Sequence, residues 1–99
     1  MDMLEVRGSR LVVHLPEELD HHYTEEIREE IDEAVKNYPV DEVEFDFSKT
    51  AFMDSAGIGM LLGRHKIMKA LNGQITVSHM NGQIRRILSM SGIRSVINF

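Results

Sequence analysis

Val43-Glu44-Phe45-Asp46-Phe47, followed after a short approach by Phe52-Met53-Asp54-Ser55-Ala56-Gly57-Ile58-Gly59, decides how this chain is organised. The first run alternates apolar and acidic side chains, the pattern of a strand with one covered face. From Ser55 to about Leu71 the pattern turns helical, with Ile58, Leu61, Leu62, Met68 and Leu71 as its apolar positions. The junction is therefore a strand running into a helix. Asp54 or Ser55 is the N-cap, its side-chain oxygen accepting from one of the helix's unpaired amides. A helix start also favours an anion through its free N–H groups and positive dipole end, so a phosphate on Ser55 would be tolerated there. Local pattern alone is equally satisfied if both residues are caps and nothing more. Gly57, Gly59 and Gly63 lie inside the helical stretch, where each costs about 1 kcal/mol relative to alanine. Gly59 and Gly63 are four apart and share a face, leaving a bare stripe where another surface can approach the backbone. The protein's own sheet and a docking partner both fit that stripe.

Upstream, Met3 to Arg7 and Arg10 to Leu15 are short extended runs joined by the hairpin signal Gly8-Ser9, with Leu11, Val13 and Leu15 on one face. Pro16-Glu17-Glu18 ends the second run, and Asp20 caps a helix reaching about Tyr38. Tyr23, Ile27, Ile31, Ala34, Val35 and Tyr38 form its core stripe, and Glu25, Glu26, Glu29, Glu30, Asp32 and Glu33 its solvated face. Pro39 breaks it. Downstream, Asn72-Gly73 is a turn and Gln74 to Ser78 a strand. Asn81-Gly82 opens a third helix with Ile84, Ile87 and Leu88 inward and Arg85 and Arg86 outward, and Gly92 stops it. A last run, Ser95 to Phe99, carries Ile97 and Phe99 on one face.

Strand-helix-strand units in succession imply parallel strands joined by right-handed crossovers. A sheet covered on both faces would have apolar strands throughout, whereas Glu44, Asp46, Thr76 and Ser78 interrupt these. The expectation is one α/β domain over residues 1–99: a mixed, mostly parallel sheet with helices mainly on one face, a short βα superhelix.

Composition narrows the function classes. Sixteen acids against eleven Lys and Arg give a net charge of −5, which opposes binding to a phosphate backbone. With no cysteine, disulfides, thiolate catalysis and thiolate metal sites are excluded. No apolar run approaches a membrane span, and Met1-Asp2-Met3-Leu4-Glu5 lacks a basic region followed by an apolar core, so a cytoplasmic protein without membrane attachment is expected. The glycines do not make a P-loop, since Gly63 is followed by Arg64-His65 rather than Lys-Ser or Lys-Thr. Met53 stands where a nucleophile elbow needs glycine. His65 and His79 have no readable acid partner. His21 and His22, neighbours on a helix, point about 100° apart and do not chelate. No catalytic residue, cofactor or metal is expected. The methionines read as gap-filling core, with Met53 and Met60 as the exposed exceptions if the junction is used.

The run Phe52 to Gly59, continued by Met60-Leu61-Leu62-Gly63-Arg64, resembles the signature of the anti-sigma factor antagonists, bacterial members of the STAS domain family. Leu19-Asp20-His21-His22 is similar to the family's earlier strand-to-helix segment. Arg85-Arg86-Ile87-Leu88 and Met90-Ser91-Gly92-Ile93 are similar to its later helix and turn. The resemblance implies a protein without chemistry of its own. Its serine accepts phosphate from an anti-sigma factor that is also a serine kinase, and a serine phosphatase removes it. Unphosphorylated antagonist binds the anti-sigma factor and frees the sigma factor; phosphorylation ends the binding. Carried over by position, the phosphorylated residue is Ser55, and the partner-binding surface comprises Asp20, Met53, Asp54, Ala56, Gly57, Ile58, Gly59 and Met60. Ala56 stands where many relatives place a second hydroxyl, which leaves Ser55 the only acceptor there. Family members usually add a further helix after the point where Phe99 stands, so the edge near Ile97 and Phe99 is expected to need cover, with self-association of an otherwise monomeric protein as one answer. Sporulation and stress responses are the expected settings. The alternatives are a STAS module of another bacterial signalling complex, or a small nucleotide binder using the helix start at Ser55.

Overall fold

A computed structural model describes residues 3–99; Met1 and Asp2, part of the stretch read for a leader, lie outside the described residues. Strand β1 (Leu4–Arg7) turns at Gly8, whose φ is +60°, into β2 (Arg10–His14), and the two pair antiparallel. After the two-residue β3 (Glu18–Leu19), helix α1 (His21–Asn37) crosses to β4 (Glu42–Asp46). Tyr38 is already extended, as the residue before a proline tends to be, so α1 ends there. A second two-residue strand, β5 (Phe52–Met53), precedes α2 (Ser55–Ala70), which crosses to β6 (Gln74–Ser78). Helix α3 (Gly82–Met90) follows, capped by Asn81, whose Oδ1 accepts from the Ile84 amide at 2.8 Å. Gly92, at φ +82°, stops it as expected.

The main sheet runs β1-β2-β4-β6, with β2, β4 and β6 parallel, so the strands step across in chain order. This is the mixed, mostly parallel α/β architecture that alternation predicts. Leu11, Val13, Val43, Phe45 and Ile75 on the covered face share one core with Ile27 and Ile31 of α1, Leu61 and Met68 of α2, and Ile84 and Leu88 of α3. Three details differ from the pattern. Tyr23 and Tyr38, read as core, are exposed, and Thr24 is buried instead. Leu62 of α2 and Leu71, its C-cap, also face outward. A single 3-10 turn, Ile93–Ser95, leads into the last run, Ser95 to Phe99, which forms no strand; within it Ile97 is buried and the Phe99 ring centre lies 4.8 Å from the Arg94 guanidinium.

The uncovered face is a layer of paired polar groups. Arg10 reaches Glu42 at 3.2 Å and Glu44 at 3.3 Å, while Thr76 and Ser78 donate to the same two carboxylates. Beneath it Val12 is 1% exposed. At one end the His14 ring lies between two acids, Nδ1 at 3.0 Å from Asp46 Oδ2 and Nε2 at 2.9 Å from Glu5 Oε1. An imidazole can donate at both nitrogens only as the cation. The Glu5 hydrogen bond accordingly raises the His14 pKa, with burial opposing and Asp46 assisting. Arg7 and then His14 hold Glu5 at about 2. For Asp46, burial works upward but is outweighed by the Ser48 amide, His14 and His79, so its value is lowered.

Two outcomes follow for stability. His14, with a raised folded value, contributes fully below the ordinary 6.5 and loses that contribution as pH rises through the folded value; Glu5 contributes above its ordinary 4.5 and loses it as pH falls toward 2. Urea unfolding of His14→Gln beside wild type should therefore show its largest deficit between pH 4.5 and 6.5, shrinking on either side. The glycines of α2 separate by what a Cβ would meet. At Gly57 it would lie 2.6 Å from Met53 Cγ, whereas at Gly59 and Gly63 it would meet nothing within 4 Å. Gly59→Ala and Gly63→Ala should each stabilise by up to about 1 kcal/mol, and Gly57→Ala should destabilise by about 1 kcal/mol once overpacking outweighs propensity.

Candidate functional site

All three helices begin at the carboxyl ends of the parallel strands, and the starts of α1 and α2 are joined by the short strands before them. β3 and β5 pair in parallel, Glu18 with Phe52 and Leu19 with Met53. The Glu17 carbonyl accepts from the Ala51 and Phe52 amides at 2.8 and 3.1 Å, and the Leu19 carbonyl from Asp54 at 3.2 Å. Thr50 Oγ1 donates to the Pro16 carbonyl, and Asn81 Nδ2 to the Thr50 carbonyl, which ties the loop to the start of α3.

Asp54, not Ser55, is the N-cap of α2. Its Oδ1 accepts from the Ala56 amide at 2.9 Å, while Oδ2 accepts from the His21 amide, the first of α1, at 3.2 Å. Asp20 Oδ1 takes the next two amides of α1, His22 and Tyr23, both at 3.1 Å. Two carboxylates therefore satisfy two adjoining helix starts. Ser55 is the first residue of α2, exposed, and its hydroxyl makes no hydrogen bond among the described residues. A group added to Oγ would displace nothing.

The structure thus brings Asp20, Asp54, Ser55 and Ala56 to one surface, with Ile58 half-buried and Gly59 exposed beside them. It corrects the expectation that Met53 and Met60 are exposed: each is 4% exposed and packs in the core, because β5 turns Met53 inward beneath α2. Gly57 is buried too, against Met53 and Leu19. These three support the surface from below. Phe52 is exposed at the rim, a position the alternation of β5 alone is too short to reveal.

Between α1 and α2 runs a groove of ≈ 430 Å³ that begins at His21 and Ala56 and passes along Gly59 and Gly63 to Arg28 and Arg64. Arg64 went unread in the sequence as part of any site, because a charged residue in a helical pattern signals solvent. It is 7% exposed, and burial lowers its pKa, with Asp32 opposing and Arg28 adding to the shift. Its Nε stands 3.1 Å from Asp32 Oδ1, an ion-pair distance without the alignment of a hydrogen bond. Nε, Nη1 and that Oδ1 are buried without hydrogen-bond partners. Among the described residues no cluster of His, Asp and Glu is arranged to hold a metal, and no helix is long and apolar enough to cross a membrane.

A stepped, mostly parallel sheet whose three helices start at the carboxyl ends of its strands is the fold expected of a STAS domain. The STAS domain model matches residues 3–99, and the chain belongs to that family. It is 34% identical over 87 residues to the anti-sigma F factor antagonist of Paenibacillus polymyxa, covering 88% of this chain and 74% of that protein. The corresponding antagonist of Lysinibacillus sphaericus is 32% identical over 88 residues, covering 89% and 75%. Among solved structures, the unphosphorylated form of the anti-sigma factor antagonist SpoIIAA superposes with a TM-score of 0.86 at 32% identity, covering 95% of this chain and 83% of that one. The phosphorylated form of the Bacillus SpoIIAA gives 0.76 at 33%, covering 95% and 86%.

Because Asp54 serves two helices, Asp54→Ala should cost more than a single cap, about 2 kcal/mol. Amide exchange should accelerate at both His21 and Ala56. Acceleration at Ala56 alone would mean that the His21 contact contributes nothing.

Proposed function

We propose that this protein is an anti-sigma factor antagonist controlled by phosphorylation of Ser55. The observation that carries the reading is the exposed, unbonded Ser55 hydroxyl at a helix start whose cap belongs to another residue. Kinship with the STAS family and with antagonists of the anti-sigma F factor supports it. The unmodified surface, formed by Asp20, Asp54, Ser55, Ala56, Ile58 and Gly59 over buried Met53, Gly57 and Met60, binds an anti-sigma factor and releases its sigma factor. That partner is also the serine kinase. Ser55 Oγ attacks the γ-phosphorus of ATP, the bond to ADP breaks, and the hydroxyl proton passes to a base on the kinase. A serine phosphatase restores the hydroxyl by hydrolysis. The protein is the substrate in both steps and supplies no catalytic group, and it works in the cytoplasm.

Phosphorylation adds about −1.5 to −2 charges at pH 7. The positive ends of α1 and α2 accept that charge, so the domain stays folded. The partner does not: a dianion beside Asp54 must be desolvated and repels acidic groups that approach. The switch therefore acts at the surface and leaves the sheet unchanged.

Intact and fragment mass after incubation with ATP and extract of the source cells tests this reading. One phosphoryl group on Ser55, absent from Ser55→Ala, is expected, with amide shifts confined to residues near 19–23 and 52–60. Absence of the modification across growth conditions, or shifts spread over β1, β2, β4 and β6, would sink it.

A further inference from the structure

We infer that this chain associates head to tail with copies of itself, the acidic face of α1 in one copy docking on a basic face beside β6 in the next. The charges are segregated along the chain. All sixteen acids and five of the eleven Lys and Arg lie in residues 1–54, for a net −11, whereas residues 55–99 hold the other six cations and no acid, for a net +6. The fold gathers each excess into a surface. On α1, Glu25, Glu29 and Glu33 stand four apart in one row with Glu26 and Glu30 in the next, all exposed. Like charges at that spacing cost helix stability, and Arg28 and Lys36 offset only part of them. Asp32 is already partnered by Arg64 at 3.1 Å, but none of the five glutamates is in an ion pair among the described residues.

The basic face is continuous. β6 is an outer strand of the sheet, and a cleft of ≈ 500 Å³ beside it is lined by His65 and Lys69 of α2 together with Ser95, Val96 and Asn98, without an acid. The same terminal segment brings the Phe99 ring centre within 4.8 Å of the Arg94 guanidinium and 5.8 Å of that of Arg85. One ring thereby draws two like charges together and restricts both before a partner arrives. Lys66, Lys69, Arg85, Arg86 and Arg94 are all exposed, and no carboxylate of the described residues lies within ion-pair distance of them. Two ordered guanidinium groups without an acid suit carboxylates. A second copy is the occupant because the complementary charge is carried, unpaired, by the chain itself. Helix α2 packs on α1 on one side and on β6 on the other, so a copy that docks through one face keeps the other free. The contact is therefore heterologous and runs from copy to copy rather than closing as a dimer.

Sedimentation equilibrium of the full chain, up to about 1 mM protein in about 20 mM and about 300 mM salt, tests this. The weight-average mass should rise with concentration at low salt, and the association constant should fall about tenfold or more at high salt. Glu25→Lys/Glu29→Lys/Glu33→Lys and Arg85→Glu/Arg94→Glu, each with the circular dichroism of wild type, should sediment as monomers alone. Mixed, they should associate again, since the mixture restores opposite charges across the contact. Lys69→Glu, which leaves the Phe99 contacts in place, should by itself weaken association about threefold or more. A wild type that is monomeric throughout overturns the inference; if it then binds a labelled oligoglutamate peptide that Arg85→Glu/Arg94→Glu does not, the basic face serves an acidic segment of another protein. Association that survives both reversals, or that high salt leaves unchanged, lies elsewhere on the molecule and overturns it too. None of these outcomes bears on Ser55, which phosphoryl transfer tests.

Discussion

One carboxylate holds two helices. Asp54 Oδ1 closes the start of α2 and Oδ2 the start of α1, and the β3–β5 pairing makes this reach available by setting Leu19 beside Met53. Two-residue strands add little hydrogen bonding of their own. What they contribute is register: with Leu19 and Met53 aligned and both buried, the residues that follow, Asp20 and Asp54, must emerge side by side. Ser55 then stands at the meeting of two positive helix ends, a place where a dianion is electrostatically acceptable to the fold. The tolerance for phosphate and the cap arrangement are one physical feature.

The two faces of the sheet divide the work. The covered face and the three helices make the apolar core, which supplies the dominant favourable term. The open face closes itself with a carpet of ion pairs, most of them exposed and individually weak, which shelters Val12 and leaves few apolar edges. The proposed switch belongs to neither face. Ser55 stands at the carboxyl rim, where crossovers of a parallel sheet leave helix starts and loops free, the usual location of sites in such folds.

Helix α2 shows how a single element serves both tasks. Gly57 is required by packing, since Met53 and Leu19 occupy the space of a side chain, whereas Gly59 and Gly63 face open space. The same residue type in one helix is thus structural at one position and a sacrifice of stability at two others. Such a sacrifice is the expected form of a trade between stability and function. Arg64, buried in the groove wall with Asp32 as its ion-pair partner, carries a desolvation cost of its own.

Much of this was legible in the sequence. Alternation placed β2, β4 and β6 and predicted an open face, because a half-buried strand must repeat every two residues. Asp20, Asn81 and Gly92 marked helix ends because cap chemistry is local. What was not legible depends on which of several apolar residues turns inward. Helix α2 mixes apolar, glycine and basic residues around its whole circumference, so its pattern offered no single face; Met60, and Met53 just before the helix, were read as exposed while Leu62 and the capping Leu71 in fact are. The strands β3 and β5 are too short to show any period. Arg64 reads as solvated until α1 is laid across it. The sequence by itself therefore determined the strands of the main sheet, the three helices, their order and the serine that opens α2, since these follow from spacing along one chain. Only the tertiary structure decided that Asp54 caps a second helix and that two glycines and a buried arginine share a groove, because those relations join residues brought together solely by the pairing of β3 with β5 and the packing of α1 on α2.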